Sequence, residues 1–349
     1  PGPKTNINGK TTSWLVWFMF LGVMPAIIGM GGLVGAVAEA GTNLFPSINI
    51  EAWVVLSCLI TWLILIRGSY SVLENILLGM VLVFSLITLV IAFSIQFTSY
   101  EINASQVLSG LNFSLPFEYL PLALAVFGFT GISYGEIMAY TYWCLEKGYA
   151  EGNTKDIQET KNWIRTMQTD VWVTIFFITI GTLPFFFLGA GVLNTLPQLQ
   201  ESLASQSFWD VDIISALQNM FSLVLGDWAK WLFIVLAFFI LYSTLLSGTA
   251  AFTRTISDYL ISMGFVYEKE YTRKILIKLI AFLVPFFSGV FYFLLPNPIT
   301  LLLIAGIWAA MGLPIVNIGA IYLSNKLQKE LQPSPVSYTH LTLPTMDSV

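Results

Sequence analysis

Charge is scarce in this sequence and histidine almost absent. Only 10% of the 349 residues are charged, while 56% are hydrophobic, against about 25% charged in an ordinary soluble domain. So few charges cannot cover a water-facing surface, and a mean hydropathy of +0.77 points the same way. Lipid admits only helices or closed barrels. The apolar runs are continuous rather than alternating, which excludes a barrel. The expected class is an all-α polytopic membrane protein. The lone histidine, His340, falls in the terminal stretch VSYTHLTLPTMDSV, which shares no character with the rest, and residues 336–349 read as non-native. Without it the chain has no imidazole for catalysis. The two cysteines, Cys58 and Cys144, have no metal-ligand spacing and form no disulfide framework, so they read as small buried hydrophobes. A net charge of −5 without a basic stripe excludes nucleic acid as a partner. The lipid bilayer is the partner that composition requires.

A helix needs about 20 apolar residues to cross the hydrocarbon core. Eight segments are expected to cross, at residues 13–38, 53–66, 71–97, 115–145, 171–193, 228–251, 275–295 and 299–323. The chain then divides into an N-terminal remnant (1–12), a transmembrane domain (13–325) and a tail (326–349). Eight crossings put both ends on one side. All but Lys230 of the 15 lysines and arginines fall on that side, which the positive-inside rule makes cytoplasmic. The expectation is a multi-pass cell-membrane protein with both ends inside, long inner loops at 146–170 and 254–278, and outer loops at 41–50, 98–114 and 194–227. The chain opens at Pro1 with no visible signal segment and reads as a fragment.

The fourth segment breaks the apolar pattern. In FGFTGISYGEIMAYTYWCLEKGY (127–149), Gly128, Gly131 and Gly135 recur at spacings of three and four. Such glycines let a neighbouring helix approach closely. Alternatively they let the backbone unwind, which membrane depth tolerates only where protein or water covers it. Glu136 separates the two readings. A charge at the bilayer centre costs roughly 2.5–3.5 kcal/mol on insertion scales, and packing gives no reason to carry it. Thr130, Ser133 and Tyr134 add oxygens nearby. The expectation is a discontinuous helix holding a substrate and ion site, built from Thr130, Gly131, Ser133, Tyr134, Gly135 and Glu136, with Glu136 and Ser133 as metal ligands. A plain structural pairing of Glu136 is the competing reading. Elsewhere, Glu39 reads as interfacial and Glu74 as a solvated helix start. The hydroxyl-rich stretch 242–260 reads as bridging helices or lining a path. Arg254 and Asp258, at i and i+4, read as an ion pair, Asn317 as helix glue and Pro314 as a kink.

Three runs, YTYWCLEKGYA, NWIRTMQTDVWV and GDWAKWLFIVLAFFILYSTLLSGTAAFTRTISDYL, resemble a divergent bacterial branch of the Nramp family of divalent-metal transporters. The resemblance covers residues 13–325. It implies the inverted-repeat fold of the amino acid–polyamine–organocation superfamily, with a broken helix in each half, the first and the sixth. In that register residues 13–38 are similar to the family's third helix and 299–323 to its tenth, so the chain would be a partial fold lacking the first two. Residues 115–145 take the place of the sixth, which the family unwinds to hold metal. The family's Asp-Pro-Gly-Asn would precede Pro1. Its Met-Pro-His-Asn is replaced by GISYGE, and the glutamine of its tenth helix has no counterpart between 299 and 323. Loss of the thioether leaves oxygen donors, which suit harder ions such as Mg²⁺ or Mn²⁺.

The resulting expectation is a secondary transporter, not an enzyme and without a cofactor. It moves a divalent metal (Mn-, Fe- or Mg-like) inward, with protons as the coupled substrate. Glu136 neutralises the cation or carries the proton, while Gly131 and Gly135 permit the unwound backbone. One helix bundle rocks against the other. An organic-solute symporter of the same superfamily, with Tyr134, Tyr140, Tyr142 and Trp143 as an aromatic wall, is the alternative. A membrane sensor or enzyme is more remote, because the sequence offers no nucleophile–base pair, ligand cluster or phosphate loop.

Overall fold

The computed structural model describes residues 4–67, 70–110, 116–129, 133–149, 156–192, 213–267, 269 and 272–333. A β-hairpin, β1 (Lys4–Ile7) and β2 (Lys10–Ser13), leads into α1 (Trp14–Leu21) and α2 (Val23–Leu44). Then come α3 (Ile50–Arg67), α4 (Tyr70–Ser94), α5 (Ala104–Gly110), α6 (Leu120–Phe129) and α7 (Tyr134–Glu146). The order closes with α8 (Ile157–Gly191), α9 (Ile213–Leu225), α10 (Trp228–Ser262), α11 (Thr272–Leu294) and α12 (Pro298–Ser324). Among the described residues, seven stretches are long and apolar enough to cross a membrane: Trp14–Leu44, Leu77–Phe97, Leu120–Glu146, Ile157–Gly191, Trp228–Ser262, Thr272–Leu294 and Pro298–Ser324. The second expected crossing is the shorter apolar helix Ile50–Ile66 within α3. The chain is an all-α, multi-pass membrane protein with one small hairpin.

Helix α2 is the centre, with α3, α10, α11 and α12 packed around it. In lipid, helices gain little from the hydrophobic effect and associate through close packing, which small residues permit. Gly29, Gly31, Gly32, Gly35, Ala36, Ala38 and Ala40 are all buried on α2. A Cβ added at Gly32 would lie 2.6 Å from the Pro298 carbonyl of α12. Met30, Val34 and Val37 fill the spaces between, against Leu245 and Leu246 of α10, Tyr292 of α11 and Leu301 of α12.

Several boundaries differ from those expected. Helix α8 starts at Ile157 rather than 171, because Asp156 caps it through the Gln158 amide at 2.8 Å. Helix α10 continues past 251 to Ser262. Both carry polar turns beyond their apolar stretches, so much of the expected inner loops is helix. Part of the expected outer loop is helix too: α9 buries Ile214, Met220 and Phe221 against Ile91, Leu188 and Phe233.

Residues 4–13 form a hairpin rather than a featureless remnant. Its turn is Asn8-Gly9, both at positive φ (51° and 80°), the geometry that suits a two-residue hairpin loop. The hairpin docks on the C-terminal end of α10. Asn8 Nδ2 donates to the Gly264 carbonyl at 2.8 Å and Thr12 Oγ1 to the Ser262 carbonyl at 2.9 Å. These bonds satisfy carbonyls that a helix end leaves without intrahelical partners.

In the hydroxyl-rich stretch of α10, Tyr242 bridges helices, its hydroxyl accepting from Thr61 Oγ1 of α3 at 3.4 Å, whereas the buried serines and threonines bond locally. Ser243, Thr249, Thr253 and Ser257 return their hydroxyls to carbonyls three or four residues back, at 2.6–2.7 Å. This local bonding competes with any cross-helix use of the same donors.

Charged side chains gather at one end. Arg254 does not pair with Asp258. It forks onto Glu146 of α7, with Nη2 at 2.8 Å from Oε2, and its guanidinium lies 4.8 Å from the Trp143 ring. Asp258 instead takes Arg273 of α11 at 2.8 Å. Lys147 reaches Glu74 at 3.5 Å and Asp170 at 3.7 Å, so Glu74 ties α4 to α7 rather than standing as a solvated helix start. Glu146→Gln is expected to cost about 1–3 kcal/mol, the range for stranding a partner of a charged hydrogen bond. Asp258→Asn should leave the Glu146–Arg254 coupling unchanged in a double-mutant cycle of unfolding. A coupling lost in the Asp258 variant would restore the local i, i+4 pair.

Candidate functional site

The fourth expected segment has described helix on both sides of residues 130–132, which lie outside the described residues. Helix α6 ends at Phe129 and α7 starts at Tyr134, with Ser133 extended (φ −74°, ψ 163°) as its cap. Ser133 Oγ accepts from the Glu136 amide at 3.4 Å, and Glu136 Oε2 accepts from the Ser133 amide at 2.7 Å. This is a reciprocal capping box, which satisfies two otherwise orphaned amides at a helix start. Its Ser-x-x-Glu spacing was legible in SYGE and went unread. Glu136 thus has a local structural partner, as the competing reading held. It is nevertheless exposed on the isolated chain, and a carboxylate can accept about four hydrogen bonds.

The six expected site residues do not all meet. Ser133 and Glu136 are together. Gly135 stands in open space, where an added Cβ would find only Ser133 Oγ at 3.8 Å. Tyr134 turns elsewhere: its hydroxyl lies 3.4 Å from the Gly22 carbonyl at the α1–α2 joint, and its ring seats on Gly312 of α12. Thr130 and Gly131 lie outside the described residues. Gly128 is a packing glycine, its α-carbon set against the Gly306 carbonyl of α12.

The aromatic residues of α7 diverge. Tyr140 donates to the Met167 carbonyl of α8 at 3.2 Å, and Trp143 lies under Arg254. Tyr142 lies 5.8 Å from the Arg273 guanidinium. With Tyr134 on Gly22 and Gly312, the four face different neighbours and make no common wall. The nearest thioether on α7, Met138, is the acceptor for the Tyr259 hydroxyl at 3.6 Å. Among the described residues no three His, Cys, Asp or Glu side chains converge as a metal-binding group. A cation at the break would rest on Glu136 together with hydroxyl and carbonyl oxygens.

At the end opposite the Glu146–Arg254 and Asp258–Arg273 pairs lies a cavity of about 900 Å³. Its polar lining includes Glu39, Thr42, Asn43 and Asn297, and its apolar lining runs down α6 through Leu122 and Ala125 to Phe129. Glu39 lines this cavity near the end of α2. The cavity ends against the last residue of α6, at the edge of the break.

The family model described as Natural resistance-associated macrophage protein-like (Nramp) matches residues 5–338. The chain belongs to the Nramp family. At family level it is a membrane transporter of divalent metal ions, which are its substrates, rather than an enzyme. The match extends the resemblance beyond residues 13–325 at both ends and takes in most of the hairpin. The residues read as non-native, 336–349, lie outside the described ones. No curated protein matches the chain.

The cap makes one local prediction. Ser133→Ala should cost about 1 kcal/mol, the usual worth of an N-cap side chain, seen as a lower thermal midpoint in detergent. Ser133→Thr should recover most of it. A midpoint equal to the parent's in the alanine variant would show that the cap does not hold the start of α7.

Proposed function

We propose that the gap between α6 and α7 is the cation site of a proton-coupled secondary transporter, with Glu136 as its charged ligand. The observation that carries this reading is a carboxylate at a helix start within an apolar segment, exposed and flanked by the open space at Gly135. One oxygen serves the cap, and the carboxylate keeps acceptor capacity for a metal. Ser133 Oγ and the backbone carbonyls of Thr130 and Gly131 are the further donors in this reading. Oxygen ligands favour Mn²⁺ or Mg²⁺ over softer ions. Glu136 is also the proton carrier: a proton on it removes the charge that holds the metal, so the two cargoes are linked. The 900 Å³ cavity is the entry path to the break, and the end rich in ion pairs faces the cytoplasm of a cell membrane, by the positive-inside rule.

An organic-solute symporter is the less favoured reading, since Tyr134, Tyr140, Tyr142 and Trp143 each contact a different neighbour. Titration calorimetry on the full chain separates the two. Heat is expected from Mn²⁺ or Mg²⁺, with affinity falling as pH drops and Glu136 takes its proton. Heat from an amino acid alone, with none from either metal, would overturn the metal reading.

A further inference from the structure

The short helix α1 and the long α2 are separated by one residue, Gly22. Just beyond it, Pro25 has no N–H to offer the Leu21 carbonyl, so the helical ladder lacks a bond at this joint. Three other helices meet there. Trp308 of α12 stacks on Phe18 of α1 with ring centres 5.8 Å apart. Tyr259 of α10 stands edge-on to Phe20 at 6.3 Å. Tyr134 of α7 donates its hydroxyl to the Gly22 carbonyl at 3.4 Å. Gly22 is buried, and a Cβ added to it would lie 2.8 Å from that hydroxyl and 2.7 Å from Trp308 Nε1. The missing side chain is what admits both groups.

Helix α7 is held to the same cluster at a second point, since Met138 accepts from the Tyr259 hydroxyl at 3.6 Å. Tyr134 and Met138 are four residues apart and share one face of α7. Glu136, midway between them in sequence, is about 200° round the helix from each. Pinning the Tyr134 face therefore turns Glu136 to the opposite side, where it is exposed.

We propose that Tyr134 is a positioning residue of the cation site: through it the α1–α2 joint sets the rotation of α7 and hence the direction of Glu136. The inference rests on the reading of Glu136 as the charged ligand. Tyr134 itself touches no cation. The capping box fixes the carboxylate on its own helix, and the Tyr134 contact fixes that helix against the core. At 3.4 Å the hydrogen bond is long and adds little stability; its part is geometric.

Mn²⁺ titration calorimetry and thermal midpoints on the full chain in detergent test this, with Glu136→Gln as the reference for the cation site. Gly22 has right-handed helical geometry (φ −66°, ψ −14°), so alanine fits its backbone, and both obstructing groups are side-chain tips that move aside. Gly22→Ala is therefore expected to leave the midpoint near the parent's. It should weaken Mn²⁺ binding about fivefold, within the range by which residues in contact affect one another. Tyr134→Phe keeps the ring on Gly312 and loses the hydroxyl, and should weaken binding by a similar factor. The two changes share one contact, because phenylalanine vacates the place that the alanine methyl needs. The double variant should then bind no worse than either single one, rather than multiply the losses. Alkylation of Cys144 reads the rotation without metal. Cys144 is buried on α7, and its reaction with N-ethylmaleimide should quicken in Gly22→Ala. Cys58 of α3, whose thiol lies 3.2 Å from the Pro285 carbonyl, should react as in the parent. Mn²⁺ affinity unchanged in Gly22→Ala and Tyr134→Phe but lost in Glu136→Gln would overturn the positioning role, whatever the midpoints do, and leave the cation site standing. Affinity unchanged in all three would overturn both.

Discussion

Glu136→Gln is expected to lower Mn²⁺ affinity by more than about tenfold, since a loss of only ~1.4 kcal/mol is already a factor of ten. The thermal midpoint should hardly move. The capping box explains why these effects separate. Glutamine serves at the third helical position nearly as well as glutamate, so the bond from the Ser133 amide, 2.7 Å in the parent, survives the change. What disappears is the charge. The start of α7 carries the partial positive charge of a helix N-terminus, which by itself repels a cation. Glu136 offsets that field, and its removal leaves the break with neutral oxygens and an opposing dipole. Glu136→Ala removes cap and charge together and should lose both affinity and stability. Equal Mn²⁺ affinity in the parent and the glutamine variant would reduce Glu136 to a helix cap, and the transport site would have to lie elsewhere. The same variant should flatten the dependence of metal affinity on pH.

Much of this architecture could be read from composition because lipid leaves few alternatives. The seven long apolar helices among the described residues and the shorter α3 follow from hydropathy. Hydropathy is blind where a helix leaves the membrane, which is why the polar first turns of α8, from Ile157, and the last turns of α10, to Ser262, were read as loop. Two local motifs were readable and missed: Asn8-Gly9 as a hairpin turn and Ser133-Tyr134-Gly135-Glu136 as a capping box. The partner of Arg254 belongs to another class. Asp258 is the neighbour that sequence spacing offers, whereas Glu146 is 108 residues away and becomes a neighbour only when α7 packs on α10. The start of α7 beside Glu136 was legible because a charge inside an apolar run demands a cause. The direction of Tyr134 was not, since it depends on where Gly22 and Gly312 come to rest.

Gly128→Ala should destabilise the protein by about 1–3 kcal/mol, the range for a methyl group forced into a filled space. A Cβ there would fall on the Gly306 carbonyl oxygen and within 2.8 Å of the Ala310 amide nitrogen. Both obstacles are backbone of α12 and cannot rotate aside. The contact is reciprocal, because a Cβ at Gly306 would meet the Ala125 carbonyl at 2.6 Å. Gly189→Ala is the control: its added Cβ meets nothing within 4 Å, and alanine should gain up to about 1 kcal/mol there from helix propensity. The effect on the site is larger than the stability cost suggests. Helix α12 seats both halves of the broken segment, α6 at Gly306 and Tyr134 of α7 at Gly312. Those glycines are six residues apart, roughly 9 Å along a helix axis. Under the proposed function, the spacing of α6 and α7 depends on a third helix that contributes none of the proposed ligands. Displacing α6 by one methyl group changes that spacing, so Gly128→Ala should also weaken Mn²⁺ binding although residue 128 touches no metal. Gly312→Ala presses on the Tyr134 ring, with the added Cβ 2.6 Å from Cδ1, and a ring can shift where a backbone cannot. It should cost less stability than Gly128→Ala while still weakening the metal. Normal Mn²⁺ affinity in both variants would show that α12 does not govern the gap.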